Sequence, residues 1–215
     1  MDELGFLLAA TVSVFAIVDP IGTLPFFVGL TEGFSPEDRA VVRRRSVIVL
    51  GATLTLFALA GRFLFSAFGF TLAAFEIAGG ILLFVVAYDM LQGQVSRAKL
   101  TPQDREEALA RRDELSIVPI GIPLLAGPGA ISTVMIYEGT AAADPIALVA
   151  TFVAIAVTTA ATFVVFAFGE RILRRLGRIG VMALTRVMGL ILAALGVQFV
   201  LNGFVAFLPQ LLAVV

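Results

Sequence analysis

Apolar residues dominate six long stretches of the chain, and each stretch is long enough to cross a membrane. A bilayer core of about 30 Å requires roughly 20 predominantly apolar residues per helix. The stretches lie at about residues 4–30, 46–68, 71–92, 117–138, 145–168 and 181–208. The longest polar connection between them, 93–116, predicts only one short helix, which begins at Thr101 and Pro102. The pattern predicts an all-α polytopic membrane protein with six transmembrane helices.

Two of these stretches, the first and the fourth, are interrupted near their middle by proline and glycine. The interrupting residues are Asp19, Pro20, Gly22, Thr23 and Pro25 in "FAIVDPIGTLPFF" and Gly127, Pro128 and Gly129, followed by Ser132 and Thr133, in "PLLAGPGAIST". A proline removes a backbone donor and clashes with the carbonyl one turn back, so it leaves backbone groups without partners. Such groups are too costly to expose to lipid. Both breaks are therefore expected to be buried or to line a cavity.

The order of residues at both breaks is that of a helix start. Asp19-Pro20 places a capping side chain before a proline at the first helical position, and Gly127-Pro128 opens the second break in a similar way. Two half-helices would then direct their partially positive N-termini at the membrane centre, which suits a carboxylate ligand. Asp19 caps its own half-helix, or it binds an ammonium group, a cation or a proton, and the two roles are compatible. Ser132 and Thr133 either bond to the backbone or contact the ligand.

The two halves of the chain show weak internal similarity at nearly one offset. "LTEG" at 30–33 resembles "IYEG" at 136–139, and "EIAGGILLF" at 76–84 resembles "RVMGLILAA" at 186–194. Because each half holds an odd number of spans, the second half would enter the membrane upside down. The pattern predicts two inverted three-helix repeats, 1–92 and 117–215, joined by a cytoplasmic connecting loop at 93–116. Inverted repeats with broken helices are typical of secondary transporters that bind substrate near the midplane.

Charge predicts the orientation of these spans. All but two of the 15 basic residues follow the first, third or fifth stretch, and the exceptions are Arg62 and Arg186. By the positive-inside rule, the three basic connections are cytoplasmic and both termini lie outside. The acidic start, Met1-Asp2-Glu3, is unlike a signal peptide, so the first stretch is predicted to be a retained helix.

Composition narrows the chemistry. The chain is 60% hydrophobic and has no His and no Cys, which removes the usual ligands of zinc, haem and iron–sulfur centres and the thiol and imidazole catalysts. No metal and no cofactor are predicted, and a net charge of −1 predicts no nucleic-acid partner. Tyr88-Asp89 resembles one half of the intramembrane aspartyl protease pair, but the second motif, Gly-x-Gly-Asp, does not occur in the sequence. The chain is therefore expected not to be an enzyme.

Three further polar residues within the spans are secondary candidates. Glu76 in the third span is a candidate for coupling or gating. Gln198 and Asn202 share one face of the sixth span, where they predict an interhelical hydrogen bond or a contribution to the pocket lining. Arg186 is interpreted as an interfacial arginine that extends to the cytoplasmic surface.

Four motifs, "DPIGTLPFF", "PLLAGPGAIST", "IAGGILLF" and "MGLILAALGVQFVLNG", together closely resemble the MarC family of six-helix inner-membrane proteins. That family includes the SnatA-type small neutral amino acid transporters, and the resemblance covers nearly the whole chain. It implies transport of glycine, alanine, serine or threonine across the inner membrane, coupled to a proton or to sodium. It also implies substrate binding by the motif residues of the two breaks. An oligomer in the lipid bilayer is compatible with this assignment. The alternatives are an exporter of another small solute and a non-transporting membrane scaffold or enzyme.

Overall fold

A computed structural model of the chain describes residues 3–92, 112–141 and 145–212. All regular secondary structure among these residues is helical. The helices are α1 (Glu3–Val18), α2 (Pro20–Leu30), α3 (Pro36–Phe68), α4 (Leu72–Gln92), α5 (Arg112–Leu125), α6 (Pro128–Ala141) and α7 (Pro145–Leu212). The short helix predicted from Thr101 lies outside the described residues except for its end, 112–114, which is helical. Arg112, which the sequence placed in the connecting loop, already belongs to α5.

Five helical segments of the described chain are long and apolar enough to cross a membrane, or six if the bent pair α5–α6 is one span. The five are Glu3–Leu30, Pro36–Phe68, Leu72–Gln92, Pro145–Gly169 and Met182–Leu208. The last two belong to α7, which is interrupted at Gly177, where φ is 63° and ψ is 178°. The described part of the chain is thus all-helical, with five or six candidate membrane spans.

The helix boundaries follow capping chemistry as much as hydropathy. α3 begins at Pro36, well before the apolar stretch predicted from residue 46, because Ser35 caps it and accepts a hydrogen bond from the Asp38 amide at 3.0 Å. The helix ends at Gly69, whose φ of 68° lies in the left-handed region. The first turns of α3 are therefore polar helix that extends the span beyond its apolar part.

A glycine seam brings α4 and the second apolar segment of α7 into close contact. A Cβ added at Gly80 would lie 2.5 Å from the carbonyl oxygen of Gly196, and one added at Gly196 would lie 2.7 Å from that of Gly80. Gly189 and Gly203, one heptad to either side of Gly196, also face the backbone of α4. Small residues let helix backbones approach closely where no hydrophobic force drives association. This seam joins the third predicted span to the sixth.

Ion pairs join α3 to α5 at one end of the bundle. Arg112 Nη1 lies 3.1 Å from Asp38 Oδ1, and Arg45 pairs with Asp113. In the interior, the rings of Phe27 and Phe166 stack with their centroids 4.5 Å apart. These contacts hold α2 and α3 against the second half of the chain and position the two breaks.

Candidate functional site

The first break is a single left-handed residue between α1 and α2. Asp19 has φ 44° and ψ 64°, and its carboxylate accepts a 2.9 Å hydrogen bond from the Gly22 amide. Pro20 occupies the first position of α2, where a missing amide proton costs nothing. Thr23 donates from both its amide and its hydroxyl to the Asp19 carbonyl, each at 2.9 Å. Asp19 is thus the N-cap of α2, as one of the two sequence-based alternatives predicted.

The shape of this break depends on Gly22. A Cβ at position 22 would overlap the Asp19 carboxylate, so a side chain there would displace the cap. Pro25, one turn further along α2, removes the donor that would otherwise pair with the carbonyl of Ile21. Asp19, Ile21 and Gly22 are all exposed on the surface of the chain, so the expectation that this break would be buried or would line a cavity is wrong for these three residues. The Asp19 cap and the tight turn satisfy the local backbone groups instead. The Asp19 carboxylate is therefore accessible while it caps the helix.

The second break is a bend of 61° between α5 and α6. α5 ends in a π-helical turn, Ile120–Leu125, in which Ile122 has an extended backbone with φ −137° and ψ 129°. A Cβ at Gly127 would lie 2.6 Å from the carbonyl oxygen of Pro123, so this position has room only for glycine.

α6, like α2, begins at a proline, but the residue before it, Gly127, has no side chain that could cap the helix. The Gly127 carbonyl accepts the first intrahelical bond, from the Ile131 amide at 3.0 Å, and Pro128 is the first helical residue. The amides of Gly129 and Ala130 then have no acceptor within the helix. Ser132 donates to the carbonyls of Pro128 (2.8 Å) and Gly129 (3.1 Å), and Thr133 donates to that of Gly129 (2.8 Å). Both hydroxyls are thus backbone-bonded, and the open donors of this break are main-chain amides.

The two breaks lie next to each other in the fold. A Cβ at Gly129, at the start of α6, would lie 3.3 Å from Cγ2 of Ile17, two residues before Asp19. α1 packs against α6 on one side of this point, and α2 contacts the π-helical turn of α5 on the other. α4 reaches the same place, because a Cβ at Gly79 would lie 3.6 Å from Cγ of Pro128 and 3.7 Å from Cβ of Pro123.

A cavity of about 460 Å³ lies between α1 and α6 beside the breaks. Such a volume falls within the usual range for small-molecule sites. Its lining residues are Ser13, Ala16, Ile17, Thr133, Ile136 and Tyr137. The hydroxyls of Ser13 and Tyr137 are hydrogen-bonded across it at 2.9 Å, and the ring of Phe6 packs edge-on against that of Tyr137. The cavity therefore combines apolar walls with a polar pair, one helical turn from Asp19.

Residues 4–208 match the model of the MarC family of integral membrane proteins. The chain belongs to this family. A UPF0056 membrane protein of Pyrococcus abyssi is 40% identical over 192 residues, covering 89% of this chain and 90% of the relative. The UPF0056 membrane proteins YvbG of Bacillus subtilis and YhcE of Escherichia coli are 33% and 32% identical, over 96% and 94% of this chain and 97% and 93% of their own lengths. No solved structure matches the chain. The protein is thus an integral, multi-pass membrane protein.

The secondary candidates of this MarC-family protein lie apart from one another. Gln198 Nε2 donates to Asn202 Oδ1 at 2.8 Å on the exposed face of α7. The predicted interhelical bond is therefore wrong, since these two side chains satisfy each other within one helix. Glu76 is half-buried on α4, one turn before Gly79, which touches the second break. Arg186 is exposed on α7.

Sequence reasoning missed Ser13 and Tyr137, although both left a signal. Ser13 is an isolated hydroxyl in the apolar run of α1, and Tyr137 stands in the "IYEG" motif on which the predicted repeat was based. Hydrogen-bonding side chains within spans usually find a partner on another helix. Pairing the two required the contact between α1 and α6, which sequence spacing does not reveal.

Proposed function

We propose that this MarC-family protein is a secondary transporter of small neutral amino acids that binds its substrate between the two breaks. The observation that carries the proposal is the close approach of Gly129 to Ile17, two residues before Asp19, which brings the start of α6 near the start of α2. Substrate sites of secondary transporters typically combine half-helix ends in this manner.

A zwitterion suits this arrangement. Its carboxylate would accept hydrogen bonds from the amides of Gly129 and Ala130 at the positive end of α6. Its ammonium group would bind Asp19. The Asp19 carboxylate is accessible and accepts one hydrogen bond, from the Gly22 amide. A ligand that carries both charges finds a partner of opposite sign at each break, so it is favoured over an ion that carries only one.

The cavity next to the breaks favours a small side chain. Ala16 and Thr133, which line the cavity, have small side chains. The hydroxyl pair of Ser13 and Tyr137 offers both a donor and an acceptor. Glycine and alanine would fit against the apolar wall, and serine and threonine could hydrogen-bond to the hydroxyl pair. The proposed substrate class is therefore glycine, alanine, serine and threonine.

The transport cycle is proposed to be alternating access between two inverted three-helix repeats, with α5 and α6 together forming the fourth of six spans. At both breaks a proline occupies the first helical position and a glycine lies close by, and this shared feature supports the symmetry. In the alternative arrangement, Asp19 binds a coupling proton, or sodium, instead of the substrate ammonium group, and Glu76 on α4 is the second candidate coupling site. The proposed location is the inner membrane, with both termini outside the cytoplasm.

Counterflow in proteoliposomes tests the proposal. Purified protein is reconstituted with unlabelled alanine inside, and uptake of labelled glycine, alanine, serine and threonine is compared with uptake of labelled leucine and lysine. We expect uptake of the four small amino acids only. Asp19→Asn should reduce it at least tenfold, whereas Asp89→Asn, which changes an exposed aspartate at the end of α4, should leave it unchanged.

Two results would reject the proposal in different ways. Absence of counterflow for every amino acid, with folded protein in the vesicles, would favour a carrier of another solute or a non-transporting scaffold. If Asp19→Asn and Asp89→Asn affect counterflow equally, the protein is a transporter but Asp19 does not bind the substrate.

A further inference from the structure

A second cavity, of about 520 Å³, lies between α3 and the first apolar segment of α7. Its lining on α3 includes Arg44, Ile48, Gly51 and Thr55, which form a single stripe along one helix face. α7 contributes a matching stripe, whose members include Phe152, Ala156, Thr159 and Phe163. The cavity is therefore a long groove between two helices. It is separate from the breaks, and its residues have no part in the proposed transport site.

The two stripes run in opposite directions, which gives the groove a polar end and an apolar end. Cζ of Arg43 lies 4.9 Å from the ring centroid of Phe163, and a Cβ at Gly51 would lie 3.2 Å from Thr159. Arg44 therefore lies at the Phe163 end, and the opposite end is formed by Thr55 and Phe152. Arg44 is the cationic residue of the lining itself, Arg43 lies over the Phe163 ring at the same end, and the rest of the lining is largely apolar.

The groove has the length of one membrane leaflet. From Arg44 to Thr55 a helix rises about 16 Å, which is close to half of the roughly 30 Å hydrocarbon core. It also opens on the outer surface of the bundle, because Ile48 is 56% and Phe163 is 40% exposed. A lipid in the surrounding bilayer can therefore enter from the side, with its headgroup level with Arg44 and its acyl chain along the groove.

Charge complementarity with Arg44 indicates that the lipid headgroup is anionic. Two neighbouring arginines already have acidic partners, since Arg45 pairs with Asp113 and Arg112 pairs with Asp38. Arg44 is exposed, and the described residues provide no carboxylate within ion-pairing distance of it. A phosphate at the interface would supply that partner, and basic pockets between transmembrane helices are known to bind anionic headgroups.

We propose that the α3–α7 groove is a binding site for an anionic phospholipid, with its phosphate on Arg44 and one acyl chain between the two stripes. The lipid would join the two halves of the chain on the membrane-facing surface. Neither the substrate nor the transport activity enters this inference, so it stands or falls independently of the proposed function.

Native mass spectrometry of the purified protein tests the site. The protein is titrated with phosphatidylglycerol and with phosphatidylcholine of the same acyl chains. We expect phosphatidylglycerol to bind about fivefold more tightly, the factor that one interfacial arginine typically supplies. Arg44→Gln should abolish the preference, whereas Arg186→Gln, which removes an exposed arginine outside the groove, should preserve it. Ala160→Phe fills the groove and should weaken the binding of both lipids. Ala194→Phe, on an exposed face of α7, should leave the binding of both unchanged.

The thermal midpoint of each variant without added lipid shows that it is folded. Equal affinities of the wild type for the two lipids would overturn the proposal, as would identical behaviour of Arg44→Gln and Arg186→Gln. Unchanged lipid binding by the Ala160→Phe variant would show that the acyl chain does not lie in the groove. Displacement of phosphatidylglycerol by equimolar inorganic phosphate would identify a simple anion site and equally overturn the assignment.

Discussion

Thr185 donates a 3.0 Å hydrogen bond from its hydroxyl to the carboxylate of Glu32, joining the end of α2 to α7 across 153 residues of sequence. Both side chains are buried, Glu32 being 9% and Thr185 3% exposed. A buried carboxylate that loses a hydrogen-bond donor retains its desolvation penalty. This single bond therefore links the span that contains the first break to the last span of the bundle.

We expect Thr185→Val to destabilise the protein by about 1–2 kcal/mol, because it leaves Glu32 buried without this donor. The measurement is the thermal midpoint in detergent. Thr11→Val, the same chemical change on a half-buried face of α1, is the control and should have little effect. Equal midpoints for the two variants would mean that the bond contributes nothing to stability.

The glycine seam should tolerate no side chain. Gly196→Leu would place its Cβ 2.7 Å from the Gly80 carbonyl and force α4 away from α7. Overpacking of this kind costs roughly 1–3 kcal/mol or more, so we expect a lower thermal midpoint and aggregation during size-exclusion chromatography. Ala194→Leu, on the exposed face of the same helix, should behave like the wild type. A stable, monodisperse Gly196→Leu protein would contradict the close crossing.

Two substitutions at Asp19 should separate its role as the N-cap of α2 from the role of its charge. Asparagine accepts hydrogen bonds at an N-cap about as well as aspartate and tolerates the left-handed region, so Asp19→Asn should retain the thermal midpoint of the wild type. Alanine provides neither property, and we expect Asp19→Ala to cost about 2 kcal/mol, roughly half from the lost cap and half from backbone strain. If Asp19→Ala were as stable as Asp19→Asn, the cap would not stabilise α2.

The cavity beside the breaks should be closed by a larger side chain at position 16. Ala16→Leu projects into the space bounded by Thr133 and Tyr137 and should abolish alanine counterflow while the thermal midpoint stays within a few degrees of the wild type. Ala52→Leu, on an exposed face of α3, is the matched control. Full activity of Ala16→Leu would place the substrate elsewhere.

The proposed orientation can be tested by cysteine labelling, since the chain has no Cys of its own. Glu37→Cys lies in the first turn of α3 and Thr71→Cys immediately before α4, and both positions are exposed. An impermeant maleimide applied to intact cells should label Thr71→Cys at once and Glu37→Cys only after permeabilisation. The reverse pattern would place both termini in the cytoplasm.

The sequence predicted helix caps and side-chain-to-backbone hydrogen bonds correctly where residues within one turn of each other form them. Asp19-Pro20 predicted a helix start because a cap and a proline act within one turn, and Asp19 does cap α2. Ser132 and Thr133 bond to the preceding turn for the same reason. The start of α3 at Pro36 was missed because hydropathy marks only the part of a helix that lies in lipid. Gln198 and Asn202 were assigned to an interhelical bond because their spacing fits that bond and an intrahelical one equally well.

The sequence by itself determined the helical class, the membrane location, the family and the places where two spans break. These properties follow from apolar run length and from the local conformational limits of proline and glycine, which act over a few residues. Only the tertiary structure decided that Gly129 lies against Ile17, that Ser13 meets Tyr137, and that Gly80 meets Gly196. Such contacts join residues more than a hundred positions apart, and many apolar helix faces could pack equally well by composition. Shape complementarity between particular side chains selects among those packings, and it exists only once the helices are assembled.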